Sequence, residues 1–175
     1  MLERSEKVAM AKSNVFLDTD VILNWLTKEV DQNTGFKLWK CPYEIMKFVE
    51  NEEIKAYTSI TNLFEIRFVL RRKKKCPEIK IKNFVSNLYD NINIEIPDYV
   101  DLLTANKLQD NYAFDPFDSI ALGIVQSMPE ESILVSRDVA FRELSTKCGI
   151  KAETPEKYME THFPKVFEHI KIELY

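Results

Sequence analysis

The sequence predicts a three-layer α/β/α fold, with helices on both faces of a central parallel five-stranded sheet. Two observations carry this. Short apolar runs with strand character alternate along the chain with helical segments, and the strand interiors are apolar without alternation. A strand apolar on both faces belongs in a sheet covered on both faces, which is the habit of parallel sheets. The 175 residues, 45% hydrophobic, are enough for one domain with a sizeable core and too few for two.

The elements follow in order. Residues 1–13 read as a polar lead-in, 14–160 as the domain, and 161–175 as a C-terminal tail. Val15, Phe16 and Leu17 form a first strand that stops at Asp18. A helix over 20–26 follows, capped by Thr19 or Asp20, and then a polar loop over 28–36. Pro42 opens a helix over 42–51 that carries Ile45, Met46 and Val49. Residues 54–58 make the second strand. Residues 59–74 read as one long helix, with an apolar face that includes Ile60, Leu63, Phe64 and Phe68. Pro77 starts the next helix, and 93–96 is the third strand, closed by Pro97. Helices over 98–111 and 116–128 precede the fourth strand at 132–135. A helix over 141–146 stops at Cys148-Gly149. A fifth strand at 150–152 and a helix opened by Pro155 complete the domain.

Composition narrows the function. A formal net charge of −4 is wrong for a generic nucleic-acid binder, so contact with phosphate requires a local basic patch or metal ions. Three cysteines, far apart and without a C-x-x-C, predict free thiols in a reducing compartment, not disulfides or a zinc site. Residues 1–14 contain no apolar core of a signal peptide, and no apolar run reaches membrane-spanning length. The expected location is the cytoplasm.

In a parallel sheet, sites form at the carboxyl ends of the strands. Asp18 follows the first strand directly and Asp138 follows the fourth by two residues, so both are expected at one rim. Glu65 lies about two turns into the helix that leaves the second strand. Asp118 lies in the first turn of the 116–128 helix. Four carboxylates then converge on one pocket. Crowded carboxylates cannot all ionise cheaply, and hard cations such as Mg²⁺ or Mn²⁺ relieve the repulsion. Metal-assisted phosphodiester hydrolysis needs such a cluster and needs no histidine or cysteine. Asp20, Asp115 and Ser136 are further candidates around it. Each residue also has a plainer reading. Asp18, Asp20 or Asp115 would cap helices, Glu65 would close a capping box from Asn62, and Asp138 would sit in a turn.

Four segments carry a resemblance: 15–23 (VFLDTDVIL), 58–65 (TSITNLFE), 115–122 (DPFDSIAL) and 133–138 (ILVSRD), with 154–156 (TPE) as a closing turn. Together, and in this order, they resemble the PIN domain, in particular the VapC-type toxins of type II toxin–antitoxin pairs, over about residues 14–158. The resemblance implies a parallel five-stranded sheet, Mg²⁺- or Mn²⁺-dependent endoribonuclease activity, frequent homodimers and a small antitoxin partner. It assigns catalysis and metal binding to Asp18, Glu65, Asp118 and Asp138. Two features depart from the pattern. Asp20 stands where the family often has asparagine, and the chain is longer than many VapC proteins, which keeps open a PIN nuclease that is not a toxin, or a non-catalytic PIN-like module.

Asp18-Thr19-Asp20 also fits the opening of a haloacid-dehalogenase-type phosphatase, with Asp18 as nucleophile and Asp20 as general acid. Against that, Val21 stands where that family usually has glycine, and Glu65 is left without a role. For RNA contact the strong basic run is 71–75, with Arg71, Arg72 and Lys73 its leading members. It sits at a helix end, where the dipole favours cations in any case. Arg67 and Arg137 lie nearer the expected site and are further candidates for meeting a phosphate, with Arg137 equally suited to pair with a site carboxylate.

Overall fold

The computed structural model describes residues 13–129 and 131–175. Of the polar lead-in, residues 1–12 lie outside the described residues. The sheet is built from β1 (Ser13–Leu17), β2 (Ile54–Ser59), β3 (Asn93–Glu95), β4 (Ile133–Val135) and β5 (Lys151–Glu153). Its order is β3-β2-β1-β4-β5 and every pairing is parallel. The expected five-stranded parallel sheet is therefore what the chain forms.

The pleat explains the layers. Val15 and Leu17 point to one face with Ile54, Ala56, Ile133 and Val135, into a core closed by α1 (Thr19–Thr27), α2 (Lys40–Glu50), α3 (Ile60–Phe68) and α4 (Glu78–Asn91). Phe16 and Leu134 point to the other face, into a second core with residues of α5 (Tyr99–Asn111), α6 (Pro116–Ser127) and α7 (Val139–Lys147). Successive strand residues face opposite sides, so a strand apolar in every position feeds both cores.

Three elements differ from the sequence reading. The helix expected over 59–74 is α only to Phe68 and continues as a π-helical turn, Val69–Lys73, whose end is marked by the Lys74 amide donating to the Val69 carbonyl (2.9 Å). The short helix expected over 141–146 extends to Val139–Lys147, because Asp138 caps it. The stretch 161–175 includes the end of α8 (Pro155–His162), α9 (Pro164–Ile170) and a 3₁₀ turn, Lys171–Glu173. Ile170 and Leu174 are buried in the first core. The Leu174 carbonyl accepts from the Lys37 amide at 2.6 Å, so this segment braces the 28–39 loop.

The topology also selects the place for a site. From β1 the chain moves outward through β2 and β3, then returns to β4 on the other side of β1. The crevice between the carboxyl ends of β1 and β4 is the switch point of the sheet, where open α/β folds bind their ligands.

Candidate active site

Asp18 stands at that switch point. Its amide donates to the Val135 carbonyl at 3.1 Å, which ties it to the end of β4. Its side chain caps α1, accepting from the Thr19 amide at 2.6 Å. The other oxygen accepts from the Ser136 hydroxyl at 2.6 Å, and Asn62 Nδ2 lies 3.5 Å from Oδ1. Asp18 is buried. Burial, the charge of Asp20 and then that of Asp118 hold its carboxyl well above the usual range, against the Ser136 bond that lowers it.

The other acids surround it. Asp20 accepts from the Arg137 amide through Oδ2 at 2.9 Å, while its Oδ1 is buried with no hydrogen-bond partner among the described residues. Burial pushes its carboxyl up to about 6, opposed by the Arg137 amide and guanidinium. Asp118, half-buried in the first turn of α6, is pushed up to about 7 by burial and then by the charges of Asp115, Asp138, Glu65 and Asp20. Asp115 caps α6, accepting from the Phe117 amide at 2.8 Å. Asp138 caps α7, accepting from the Phe141 amide at 2.8 Å. Glu65 is exposed on α3, but its helix is capped by the Ser59 hydroxyl and not by Asn62. The capping-box reading of Asn62 and Glu65 is thus corrected, and Glu65 is left facing the cleft.

All six carboxylates line one cleft of about 1140 Å³. Ser136 lies beneath it, donating to Asp18 and accepting from the Asp138 amide at 3.0 Å. Capping and convergence are one arrangement here. Helices α1, α6 and α7 start around the cleft, and three of the acids are their caps. Their positive helix ends also favour an anion in the cleft.

The described residues contain no group of three acids gathered tightly enough to form a closed metal cage. The donor set nevertheless fits a particular kind of ion. Mg²⁺ keeps several waters and is commonly held by one or two carboxylates together with substrate phosphate, not by an all-protein cage. The unpartnered Oδ1 of Asp20 and the carboxyls raised by one another are the features such an ion would satisfy.

The basic residues divide. Lys73 and Lys74 line the cleft wall, and Lys74 pairs with Glu29 across it at 2.9 Å. Arg71 is held by Glu78. Arg67 and Arg72 have no ion pair among the described residues. Arg137 pairs with a carboxylate, that of Glu156. Its guanidinium is committed to Glu156 (2.6 and 2.8 Å), Asn24 Oδ1 (2.7 Å) and the Leu38 carbonyl (2.7 Å), and so is not free to meet a phosphate. It positions Asp20 through its own amide. The roles of Asn24, Asn62 and Glu156 were not expected. Asn62, placed between Ser59 and Glu65, carried a weak local signal. Glu156, nineteen residues from Arg137, carried none.

Comparison with known proteins places this geometry. A family model described as the PIN domain matches residues 15–147. No curated protein matches by sequence. Among solved structures, a toxin–antitoxin complex from Klebsiella pneumoniae aligns with 14% identity and a TM-score of 0.56, covering 81% of this chain and 97% of that one. DNA-bound VapBC from Salmonella typhimurium aligns with 13% identity and a TM-score of 0.57, covering 82% and 98%. VapBC2 from Rickettsia felis, bound to a promoter DNA fragment, gives 14% and 0.57, covering 81% and 98%. At these identities the likeness is one of fold.

Proposed function

The chain belongs to the PIN-domain family, whose members are nucleases that generally use divalent metals, and from that premise we propose that it is a Mg²⁺- or Mn²⁺-dependent endoribonuclease. The phosphatase alternative falls with family membership. Asp18, Glu65, Asp118 and Asp138 are the proposed catalytic and metal-holding set, with Asp20 as an added donor and Asp115 and Ser136 in support. One observation carries the reading: these six acids, from four separate stretches of the chain, line a single cleft at the sheet's switch point.

The residues would act together as follows. Ser136 and Asn62 fix the Asp18 carboxylate in one orientation. The Arg137 amide holds one oxygen of Asp20 and leaves the other, buried Oδ1 without a hydrogen-bond partner among the described residues. Asp118 and Glu65 approach from opposite helices, so a phosphodiester entering the cleft meets acids on both sides. A divalent cation, when bound, supplies Lewis acidity toward the phosphate and acidifies water. Lys73 and Lys74 on the wall would offset the charge of the nucleic-acid backbone.

The test is cleavage of RNA by the purified chain in Mg²⁺, in Mn²⁺ and in EDTA. Cleavage with either cation, lost in EDTA and lost in Asp18→Asn and Asp118→Asn, supports the proposal. Cleavage that survives Asp18→Asn sinks the assignment, and a chain that binds RNA without cutting it is a non-catalytic module.

We further propose the toxin of a type II toxin–antitoxin pair, because the solved structures it resembles are toxin–antitoxin or VapBC complexes. Growth arrest on induction, relieved by a short reading frame beside its gene, would support this. Growth without arrest points instead to a PIN nuclease of RNA processing. A homodimer is proposed on the exposed Ile96, Tyr99, Val100 and Leu103 along the start of α5, to be read by sedimentation. A cytoplasmic location is proposed on the three free thiols.

A further inference from the structure

Beside the acid cleft lies a second hollow of about 320 Å³, lined by Phe64, Arg67, Phe68, Arg71 and Arg72. The two share a wall, since Phe64 and Phe68 also line the acid cleft. We propose that this hollow is a subsite for an unpaired base of single-stranded RNA, next to the scissile phosphate. This rests on the nuclease reading above and adds to it the residues that would hold a base beside the cleft.

The argument starts with position. Phe64 and Phe68 are four residues apart on α3, so they lie on one face, one turn apart. Both are well exposed, 62% and 55%, although phenylalanine usually withdraws from water. Among the described residues neither has an aromatic partner. On the side of the hollow their charged neighbours are the three arginines, with no acid in its lining, in a chain whose net charge is −4. Arg71 is anchored by Glu78, while Arg67 and Arg72 have no ion pair among the described residues.

Aromatic faces flanked by unpaired arginines suit a nucleobase and its phosphate. An apolar protein segment suits them less well, because covering the hollow would strip water from two guanidinium groups without pairing them. A base stacked in a double helix has no free face to offer, so the hollow selects unpaired segments.

The test measures binding in EDTA, apart from cleavage. Asp18→Asn protein is titrated with a labelled single-stranded oligoribonucleotide, its perfect duplex and an abasic strand of the same length. The single strand should bind more tightly than the other two. Phe68→Ala should weaken it roughly 5- to 100-fold, with little effect on the abasic strand, and Phe68→Trp should restore it. Arg72→Ala should weaken all three and flatten the salt dependence.

Equal affinity for single strand and duplex, absence of single-strand binding, or a Phe68→Ala protein that binds like its parent would each overturn the inference. So would a Phe68→Ala effect confined to the sedimenting mass, which would make the hollow a contact between copies. Cleavage reads the nuclease proposal separately. A wild type that cuts RNA while Phe68→Ala binds normally refutes only the subsite, and a wild type that binds single strands but never cuts refutes only the nuclease.

Discussion

Replacing Asp118 by asparagine should make the metal-free protein more stable while destroying its activity. The carboxyl of Asp118 is pushed from an ordinary 3.8 up to about 7, first by burial and then by its acidic neighbours. A folded-state pKa raised in this way favours folding below the unfolded value, and that advantage is lost as pH rises through the folded one. At pH 8 the wild type therefore bears the whole penalty of an ionised Asp118. At about 1.4 kcal/mol per pKa unit the full shift would amount to about 4 kcal/mol, and solvent screening of a half-buried group cuts this to roughly 2 kcal/mol. Asparagine keeps the shape and removes the charge, and it also relieves Asp18, which feels Asp118. For a domain of this size the gain is roughly 4–8 °C in Tm at pH 8. It should shrink to nothing near pH 4, where the aspartate is protonated in the folded state. Thermal melts in EDTA from pH 4 to 8 provide the assay. Added Mn²⁺ should then raise the wild-type Tm more than that of the variant. A gain independent of pH, or a loss at pH 8, would refute the claim that these acids strain one another.

Other outcomes follow from the same coordinates. Ser136→Ala removes the hydroxyl bond that lowers the Asp18 carboxyl, so the acid limb of the pH–rate profile for RNA cleavage should move to higher pH; an unmoved limb means that Asp18 ionisation does not control the rate. Arg137→Met leaves the half-buried Glu156 without its partner and should cost roughly 2–3 kcal/mol in urea titration, with Glu156→Gln in the same chain recovering part of it. Gly123→Ala drives a methyl to 2.5 Å from the Asp101 carbonyl oxygen where α6 crosses α5. The clash should lower stability by about 1–3 kcal/mol, more than alanine's better helix propensity returns, and a melt at or above the wild-type Tm would show that the two helices separate easily.

The parallel sheet was legible because β4 and the Val15–Leu17 end of β1 are buried on both faces and so leave short unbroken apolar runs in sequence. Asp18 and Asp138 were legible from their distance to those strands. Three other features left no such imprint. The π-helical turn at Val69–Lys73 has the residue types of an ordinary helix end, and hydrogen-bond spacing is invisible to side-chain periodicity. The helix Pro164–Ile170 is too short to show a face, and it forms because Ile170 and Leu174 find cover in the core. Arg137 looked available for phosphate because arginine after a strand often is. Its real partners come from Glu156, Asn24 and the Leu38 carbonyl, contacts that only the fold brings together. Weighing a cap against a catalytic acid also posed a false choice, since Asp18 and Asp138 cap helices and line the cleft at once.

On the proposed nuclease reading, that coincidence explains how an acidic protein would present itself to a polyanion. Each capping acid neutralises the amide end of a helix, so part of its charge is already answered by the backbone that it terminates. The remainder is concentrated in a cleft whose raised carboxyls favour occupation by a cation, which turns a repulsive site into one that attracts phosphate. The long-range attraction must come from elsewhere, and the basic residues stand where it is needed: Lys73 and Lys74 on the cleft wall, Arg67 and Arg72 in the adjoining hollow. Net charge is thus a poor guide to this chain, because binding depends on the sequence of fields that a strand would meet on its way in. If that ordering holds, neutralising Lys73 and Arg72 together should slow association with RNA at low salt while leaving dissociation nearly unchanged. Stopped-flow mixing at two ionic strengths would separate the rates, and an effect confined to dissociation would place these residues in the contact itself and not in the approach.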